Sequence, residues 1–157
     1  MSSSESSSGP DDRVPPLRSV DVFLEAKLHW PRVREGWVDR HRLLDLFDQA
    51  TRRPVALVAA PAGYGKTTLA SQWLASARGS RAAAWVSLDA GDNDPNGLWT
   101  HVVTALERAG CTFASDVAGF MAGDSGDLMA GVLPRVVNAM AGADDVVLIL
   151  DDFHYLQ

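Results

Sequence analysis

The chain has 157 residues, which fits one domain, and its formal net charge of −6 leaves no electrostatic footprint for nucleic acid. A single cysteine, Cys111, excludes a disulfide scaffold and a site of clustered cysteines, and the four histidines lack metal-ligand spacing. The sequence has no run as long as a membrane span and no apolar secretory signal, so we expect a cytoplasmic protein without membrane contact.

The N-terminal part divides into a tail and a helical segment. Residues 1–20 are rich in Ser, Pro and charge, and such a segment buries too little apolar surface to offset its ordering entropy. We therefore predict a disordered tail there. Residues 21–54 form a predicted helical lead-in, because apolar side chains recur at helical spacing over residues 39–50.

Residues 55–77 carry the most informative pattern of the chain. The apolar run at residues 55–59 predicts a strand, a glycine-rich turn follows, and a helix is predicted from Lys66 to about Ala77. In this order the backbone N–H groups of the turn and the start of the helix point at the phosphates of a nucleotide. Lys66 then reaches the β- and γ-phosphates, and the Thr67 hydroxyl ligates Mg²⁺.

One position of this turn departs from the usual phosphate-binding pattern. Ala60 stands where the pattern has its first Gly, and Ala is tolerated there if the backbone has a negative φ. Gly63 and Gly65 keep the turn permissive. The predicted nucleotide-binding residues of the turn and helix start are Ala60, Gly63, Tyr64, Gly65, Lys66, Thr67 and Thr68.

A phosphate-binding turn of this kind needs an acid at the end of a neighbouring buried strand. The apolar run at residues 146–150 predicts a strand buried on both faces, and two carboxylates follow it. We assign Asp151 to the Mg²⁺ side and Asp152, as the catalytic residue, to polarisation of the attacking water. The alternative is a strand that simply runs into a polar turn.

Further elements lie between these two motifs. A strand is predicted over residues 82–89 and a loop over 90–93. A helix then begins with Asp94 as N-cap and Pro95 as its first residue, and ends at Gly110. Another helix is predicted over residues 127–141, where Pro134 either kinks it or marks its start. This alternation predicts an α/β core over residues 55–157, with a parallel sheet covered by helices.

Five stretches, in their order along the chain, match a known family. They are residues 38–40, 60–68, 84–89, 91–95 and 148–154. Together they resemble the nucleotide-binding domain of large LuxR-type transcriptional regulators related to the maltose-regulon activator, which are signal-transduction ATPases with numerous domains. The resemblance covers roughly residues 27–157.

The resemblance implies a three-layer P-loop NTPase sandwich, of which this chain is expected to be an N-terminal, incomplete part. In the family's strand order, a fourth strand lies between the strand before the turn and the strand that ends in the acids. It also implies ATP and Mg²⁺ as cofactors, slow hydrolysis and self-association of the full-length protein. DNA would be contacted only through a C-terminal domain outside these residues.

Two parts of the resemblance have alternative explanations. The family likeness places Arg40 in the nucleotide pocket, where an Arg could pair with phosphate or stack on adenine. Arg40 could equally be an exposed residue at a helix start. Residues 91–95 resemble a family motif after the second strand, yet helix capping explains Asp94 and Pro95 without any ligand.

The sequence leaves three classes of function to compare. The first is an ATP-dependent switch segment of a transcription regulator, as the resemblance implies. The second is a small P-loop ATPase or kinase of another class, for which the chain shows neither lid arginines nor a transporter signature loop. The third is an interaction module with a vestigial turn, which the presence of Lys66, Thr67 and Asp151 disfavours.

Overall fold

The computed structural model describes residues 25–34, 36–38, 40–76, 81–112, 114, 117, 128–141 and 146–157. The predicted tail at residues 1–20 therefore lies outside the described residues. Two helices precede each of the two strands along the described part of the chain. They are α1 (His41–Ala50), α2 (Lys66–Ala75), β1 (Ala82–Ser87), α3 (Pro95–Arg108), α4 (Leu128–Ala141) and β2 (Val146–Asp151), with short 3₁₀ helices at Ala90–Asn93 and Phe153–Tyr155.

The sheet of the described residues consists of two parallel strands. Ala82 lies opposite Val146, and Ser87 lies opposite Asp151, so both strands end at the same edge. Three consecutive residues of β1, Ala84–Val86, are buried, as expected for a parallel strand covered on both faces. The predicted α/β class with a parallel sheet is confirmed, and the sheet of the described residues is small.

The predicted strand at residues 55–59 is wrong for this structure. No strand is assigned there, and the side chains of Val55 and Leu57 are 82% and 84% exposed. A strand requires backbone hydrogen bonds to a neighbour, but the strands assigned in the described residues, β1 and β2, pair with each other. Apolar composition alone could not supply that partner.

Helix α3 begins as its sequence predicts. The Asp94 carboxylate accepts hydrogen bonds from the backbone N–H of Gly97 at 2.9 Å and of Asn96 at 3.4 Å, and Pro95 is the first helical residue. The N-cap prediction for Asp94 is therefore confirmed. The capping explanation of residues 91–95 accounts for this end of the motif without a ligand.

Helices α3 and α4 contribute most of the apolar core beside the sheet. Pro134 lies inside α4, so it does not mark the start of that helix. The core is a cluster of small and branched side chains from the sheet, α3, α4 and the segment after α3. Its main buried members are Ala84, Val86, Leu88, Val102, Val103, Leu106, Val132 and Val136.

Helices α1 and α2 pack together through aromatic contacts. The rings of Phe47 and Trp73 lie 5.4 Å apart in a tilted arrangement, and Trp73 Nε1 donates a hydrogen bond to Asp48 Oδ1 at 3.1 Å. Trp73 is fully buried. This packing fixes α2, whose first residues are the predicted phosphate-binding residues, against the N-terminal helix.

A buried charge cluster fixes the loop after β1. Asp92 is only 1% exposed, and its carboxylate lies 2.7 Å from Lys27 Nζ and 2.8 Å from His101 Nδ1. It also accepts the Asp89 backbone N–H at 2.7 Å. Lys27 Nζ reaches the Asp89 carboxylate at 3.0 Å. The cluster ties the N-terminal segment to α3 through the loop.

The surroundings of Asp92 oppose one another in their effect on its acidity. Burial on its own raises the pKa of Asp92, whereas the hydrogen bonds from Lys27, the Asp89 backbone and His101 lower it. The hydrogen bonds outweigh the burial, and the pKa of Asp92 lies below its ordinary value. The folded state therefore stabilises the ionised carboxylate.

We expect Asp92→Ala to lower the free energy of unfolding at neutral pH by about 3 kcal/mol, because Lys27 loses a buried partner. The contribution of a carboxylate with a lowered folded-state pKa is complete above the unfolded pKa, about 3.9, and disappears as the pH falls through the folded pKa. Urea unfolding at several pH values measures the difference between parent and variant, which should shrink at low pH. Glu107→Ala, which removes an exposed acid of α3, is the control. A difference independent of pH would contradict this account.

Candidate functional site

The turn between residues 60 and 65 has the backbone that its glycines predict. Gly63 and Gly65 have φ of 81° and 80°, in the left-handed region that favours glycine. Gly65 directly precedes α2, and no side chain of the described residues caps that helix start. The first N–H groups of α2 therefore remain available to an anionic acceptor.

The Lys66 ammonium spans this turn. Its Nζ donates hydrogen bonds to the carbonyl of Ala60 at 2.9 Å and to the carbonyl of Pro61 at 3.2 Å. Among the described residues it makes no ion pair. The charge of Lys66 thus lies over the turn with neutral partners only, a position from which it can pair with phosphate oxygens.

Thr67 and Asp151 meet although 84 positions separate them. The Thr67 hydroxyl donates to the Asp151 carboxylate, at 2.8 Å from Oδ2 and 3.0 Å from Oδ1. Thr67 belongs to the first turn of α2, and Asp151 is the last residue of β2. The structure therefore brings together the two residues to which the sequence assigns the metal.

Asp152 lies beside this pair but is not bonded to it. Its side chain is exposed, and its backbone has a φ of 57°, an unusual conformation for a residue other than glycine. His154 Nδ1 lies 3.7 Å from Asp152 Oδ1. Within the described residues, no hydrogen bond joins the Asp152 carboxylate to the turn, to Lys66 or to Thr67.

Arg40 contacts the turn from the N-terminal side. It occupies the N-cap position of α1, and its guanidinium donates a hydrogen bond to the Tyr64 carbonyl at 3.2 Å. A Cβ placed on Gly65 would lie 3.6 Å from the same guanidinium. Arg40 is exposed, but it is held beside the turn rather than extended into solvent. The Tyr64 side chain itself points outward and is exposed.

A cavity of about 300 Å³ separates the segment before α1 from the turn and α2. This volume is at the lower end of the range of ligand pockets. Gln72 Nε2 donates to the Val38 carbonyl at 3.2 Å and so holds one wall of the cavity to α2. The lining residues are Gly36, Trp37, Val38, Arg40, Gly63, Gly65, Thr68, Leu69 and Gln72.

The oxygen ligands beside the start of α2 fit a magnesium ion that accompanies a nucleotide. Mg²⁺ is usually held by one or two carboxylates together with substrate phosphates, rather than by a cage of protein ligands. Thr67 supplies a hydroxyl from the first turn of α2, and Asp151 supplies a carboxylate from the end of β2. The described residues contain no cluster of three or more His, Cys, Asp or Glu able to hold a metal by themselves.

Comparison with known proteins agrees with this geometry. Residues 49–157 match the model of the AAA domain. The chain belongs to the AAA domain family. This P-loop domain implies nucleotide binding, typically with Mg²⁺.

Two relatives place this domain within longer proteins. The chain is 33% identical over 136 residues to the HTH-type transcriptional regulator MalT of Cronobacter sakazakii. The matched region covers 86% of this chain but 15% of that protein. The chain is 31% identical over 119 residues to the serine/threonine-protein kinase PknK of Mycobacterium tuberculosis, covering 74% of this chain and 11% of that kinase. The resemblance to regulators related to the maltose-regulon activator is thereby confirmed.

Sequence reasoning missed several residues near the site. Lys27 and His101 were not recognised as partners of Asp92, and Gln72 was not recognised as a wall of the cavity. No local pattern indicates these contacts, because Lys27 lies 65 positions from Asp92 in the sequence. Among the helices of the described ranges, none is long and apolar enough to cross a bilayer.

We expect Gly65→Ala to weaken both folding and nucleotide binding. A Cβ at a φ of 80° costs roughly 1–2 kcal/mol, and relief of that strain moves the turn that meets the phosphates. Gly110→Ala is a matched control, because Gly110 has a φ of 83°, lies after α3 and does not line the cavity. Thermal unfolding should show a loss in both variants, whereas calorimetry with Mg·ATP should show weaker binding only for Gly65→Ala. Equal affinities in the two variants would argue against the turn as the binding element.

Proposed function

We propose that this chain is the ATP-binding switch segment of a signal-transduction ATPase that regulates transcription. The observation that carries the proposal is the bond between Thr67, at the start of the phosphate-binding helix, and Asp151, at the end of β2. A hydroxyl and a carboxylate at this junction are the pair that a P-loop NTPase uses to hold the metal ion beside the phosphates. Hydrolysis in such a switch is slow and returns it to its resting state.

The residues of the turn have separable roles in this proposal. Lys66 exchanges its two carbonyl partners for β- and γ-phosphate oxygens, with which its charge interacts more strongly. Thr67 and Asp151 hold Mg²⁺, and the open N–H groups of α2 bind phosphate. When bound, Mg²⁺ neutralises the charge that develops on the phosphates.

Asp152 is the carboxylate proposed to polarise the attacking water. It directly follows the metal-side acid at the carboxyl end of β2, where ligands bind in open α/β sheets. Its exposed side chain makes no bond to the phosphate-binding turn among the described residues, so it can accept a proton from water without loosening the turn. Its proximity to His154 does not alter this assignment.

The cavity between the segment before α1 and α2 is the proposed site of the base and sugar. Trp37 and Leu69 give it apolar walls, and it opens toward Gly63 and Gly65 of the turn. Arg40 lies against the turn backbone, at Tyr64 and Gly65. This position favours pairing of Arg40 with phosphate over stacking on adenine.

The relatives support the regulatory part of the proposal. One is an HTH-type transcriptional regulator and the other is a serine/threonine-protein kinase, and this chain matches a small part of each. A segment common to two such different proteins is more readily a shared nucleotide switch than the effector of either.

We further propose that the complete sheet belongs to a three-layer sandwich, that the full-length protein self-associates with ATP, and that DNA contact lies in another domain.

We expect Lys66→Ala to weaken ATP binding by roughly 10- to 100-fold. Each charge-assisted hydrogen bond contributes about 1.5–3 kcal/mol, and Lys66 is the charged group nearest the turn's carbonyls. Isothermal titration calorimetry with Mg·ATP measures the change. The control is Arg42→Ala, which removes an exposed positive charge from α1 outside the cavity lining. Unchanged affinity of Lys66→Ala would remove this turn from nucleotide binding.

A further inference from the structure

Asn93, the last residue of the 3₁₀ helix after β1, binds the backbone that follows β2. Its Nδ2 donates to the Tyr155 carbonyl at 2.9 Å and to the Ala90 carbonyl at 3.1 Å. Its Oδ1 accepts the backbone N–H of Gln157 at 2.8 Å. One amide group therefore satisfies a carbonyl and an N–H two residues apart, as a neighbouring strand would.

The hydrogen bonds of Asn93 extend the connection between β1 and β2 beyond the last residue pair of the sheet. The strands end with Ser87 opposite Asp151, and the Leu88 N–H donates to the Asp151 carbonyl at 3.0 Å. Asp152 follows, and the Tyr155 N–H returns to the Asp152 carbonyl at 3.1 Å. Asp152 thus lies between two anchored points, Asp151 in the strand and Tyr155 on Asn93.

Asn93 is itself held by the buried charge cluster. The preceding residue, Asp92, closes a capping box with Asp89 and is bound by Lys27 and His101. Two consecutive residues of this 3₁₀ helix therefore make contacts with different parts of the molecule. Asp92 fixes the loop to the core, and Asn93 extends from the fixed loop to the backbone beyond Asp152.

We propose that Asn93 is a positioning residue for Asp152. By holding the carbonyl of Tyr155 and the N–H of Gln157, it maintains the tight turn at residues 152–155, and with it the left-handed backbone that sets the direction of the Asp152 carboxylate. The inference rests on the role proposed above for Asp152 in orienting water. Asn93 does not line the cavity and makes no hydrogen bond to the phosphate-binding turn, so it acts on turnover and not on nucleotide affinity.

The first test separates turnover from binding. Asn93→Ala should lower kcat for ATP hydrolysis roughly tenfold, since misplacing a reacting group by a fraction of an ångström has effects of this order. KM and the Kd for Mg·ATP should stay within about twofold. Asn96→Ala is the matched control, an exposed asparagine three residues along the chain whose side chain makes no hydrogen bond to a described residue. The double variant Asn93→Ala/Asp152→Asn should be no slower than Asp152→Asn alone, because a positioning residue has nothing left to position.

The second test needs no turnover. Amide hydrogen exchange without nucleotide should show the Gln157 N–H at least about tenfold less protected in Asn93→Ala than in the parent, and unchanged in Asn96→Ala. Asn93→Asp keeps the acceptor for Gln157 but replaces the donor to the Tyr155 carbonyl with an oxygen. It should therefore retain Gln157 protection and still lose turnover, which keeps the test informative if Asn93→Ala folds poorly.

The outcomes distinguish the role of Asp152 from that of Asn93. If Asp152→Asn hydrolyses ATP at the parental rate, the proposed role of Asp152 and the positioning role of Asn93 both fail. If Asp152→Asn slows turnover and Asn93→Ala does not, only the positioning role fails. Unchanged protection of Gln157 in Asn93→Ala overturns the contact itself, whatever the rates show.

Discussion

The bond between the Thr67 hydroxyl and the Asp151 carboxylate is the interaction on which the site depends. On one side of it, α1 and α2 pack through Phe47 and Trp73 and carry the glycine-rich turn. On the other side, β1, β2, α3 and α4 enclose the apolar core. A hydrogen bond of 2.8 Å between these two parts brings the end of the half-buried strand β2 to the start of a helix, where a nucleotide needs an acid beside an anion-binding terminus.

The structure also uses ionic groups to fix a loop. Burial of Asp92 and Lys27 carries a desolvation cost that opposes the gain from their ion pair, so a buried pair of this kind is weak evidence for net stability. Its consequence is geometric, because the loop after β1 has one position relative to α3 and to the segment after β2. The loop after β1 and the segment after β2 are in this way held together beside Asp151 and Asp152. Fixed surroundings of this kind keep reacting groups aligned at little cost during turnover.

The sequence predicted those features that depend on neighbours in the chain. Asp94 was identified as an N-cap because its partners are two and three residues away. The glycine-rich turn, the helix after it and the acidic end of β2 were likewise predicted from short patterns. The strand at residues 55–59 was predicted wrongly, since a strand depends on a partner that hydrophobicity does not reveal. The Lys27–Asp92 pair spans 65 positions, and a polar loop residue is ordinarily exposed, so no local rule could find it.

The central claim is that Thr67 and Asp151 form the metal side of a nucleotide site. Its most direct test compares the ATP affinity of the parent and Thr67→Val by calorimetry, with Mg²⁺ and with a chelator. Valine keeps the shape of threonine and removes only the hydroxyl that contacts Asp151. We expect Mg²⁺ to tighten ATP binding by the parent at least about tenfold, a gain of roughly 1.4 kcal/mol, and to have little effect on the variant. A Thr67→Val protein that keeps the full magnesium-dependent gain would contradict the account.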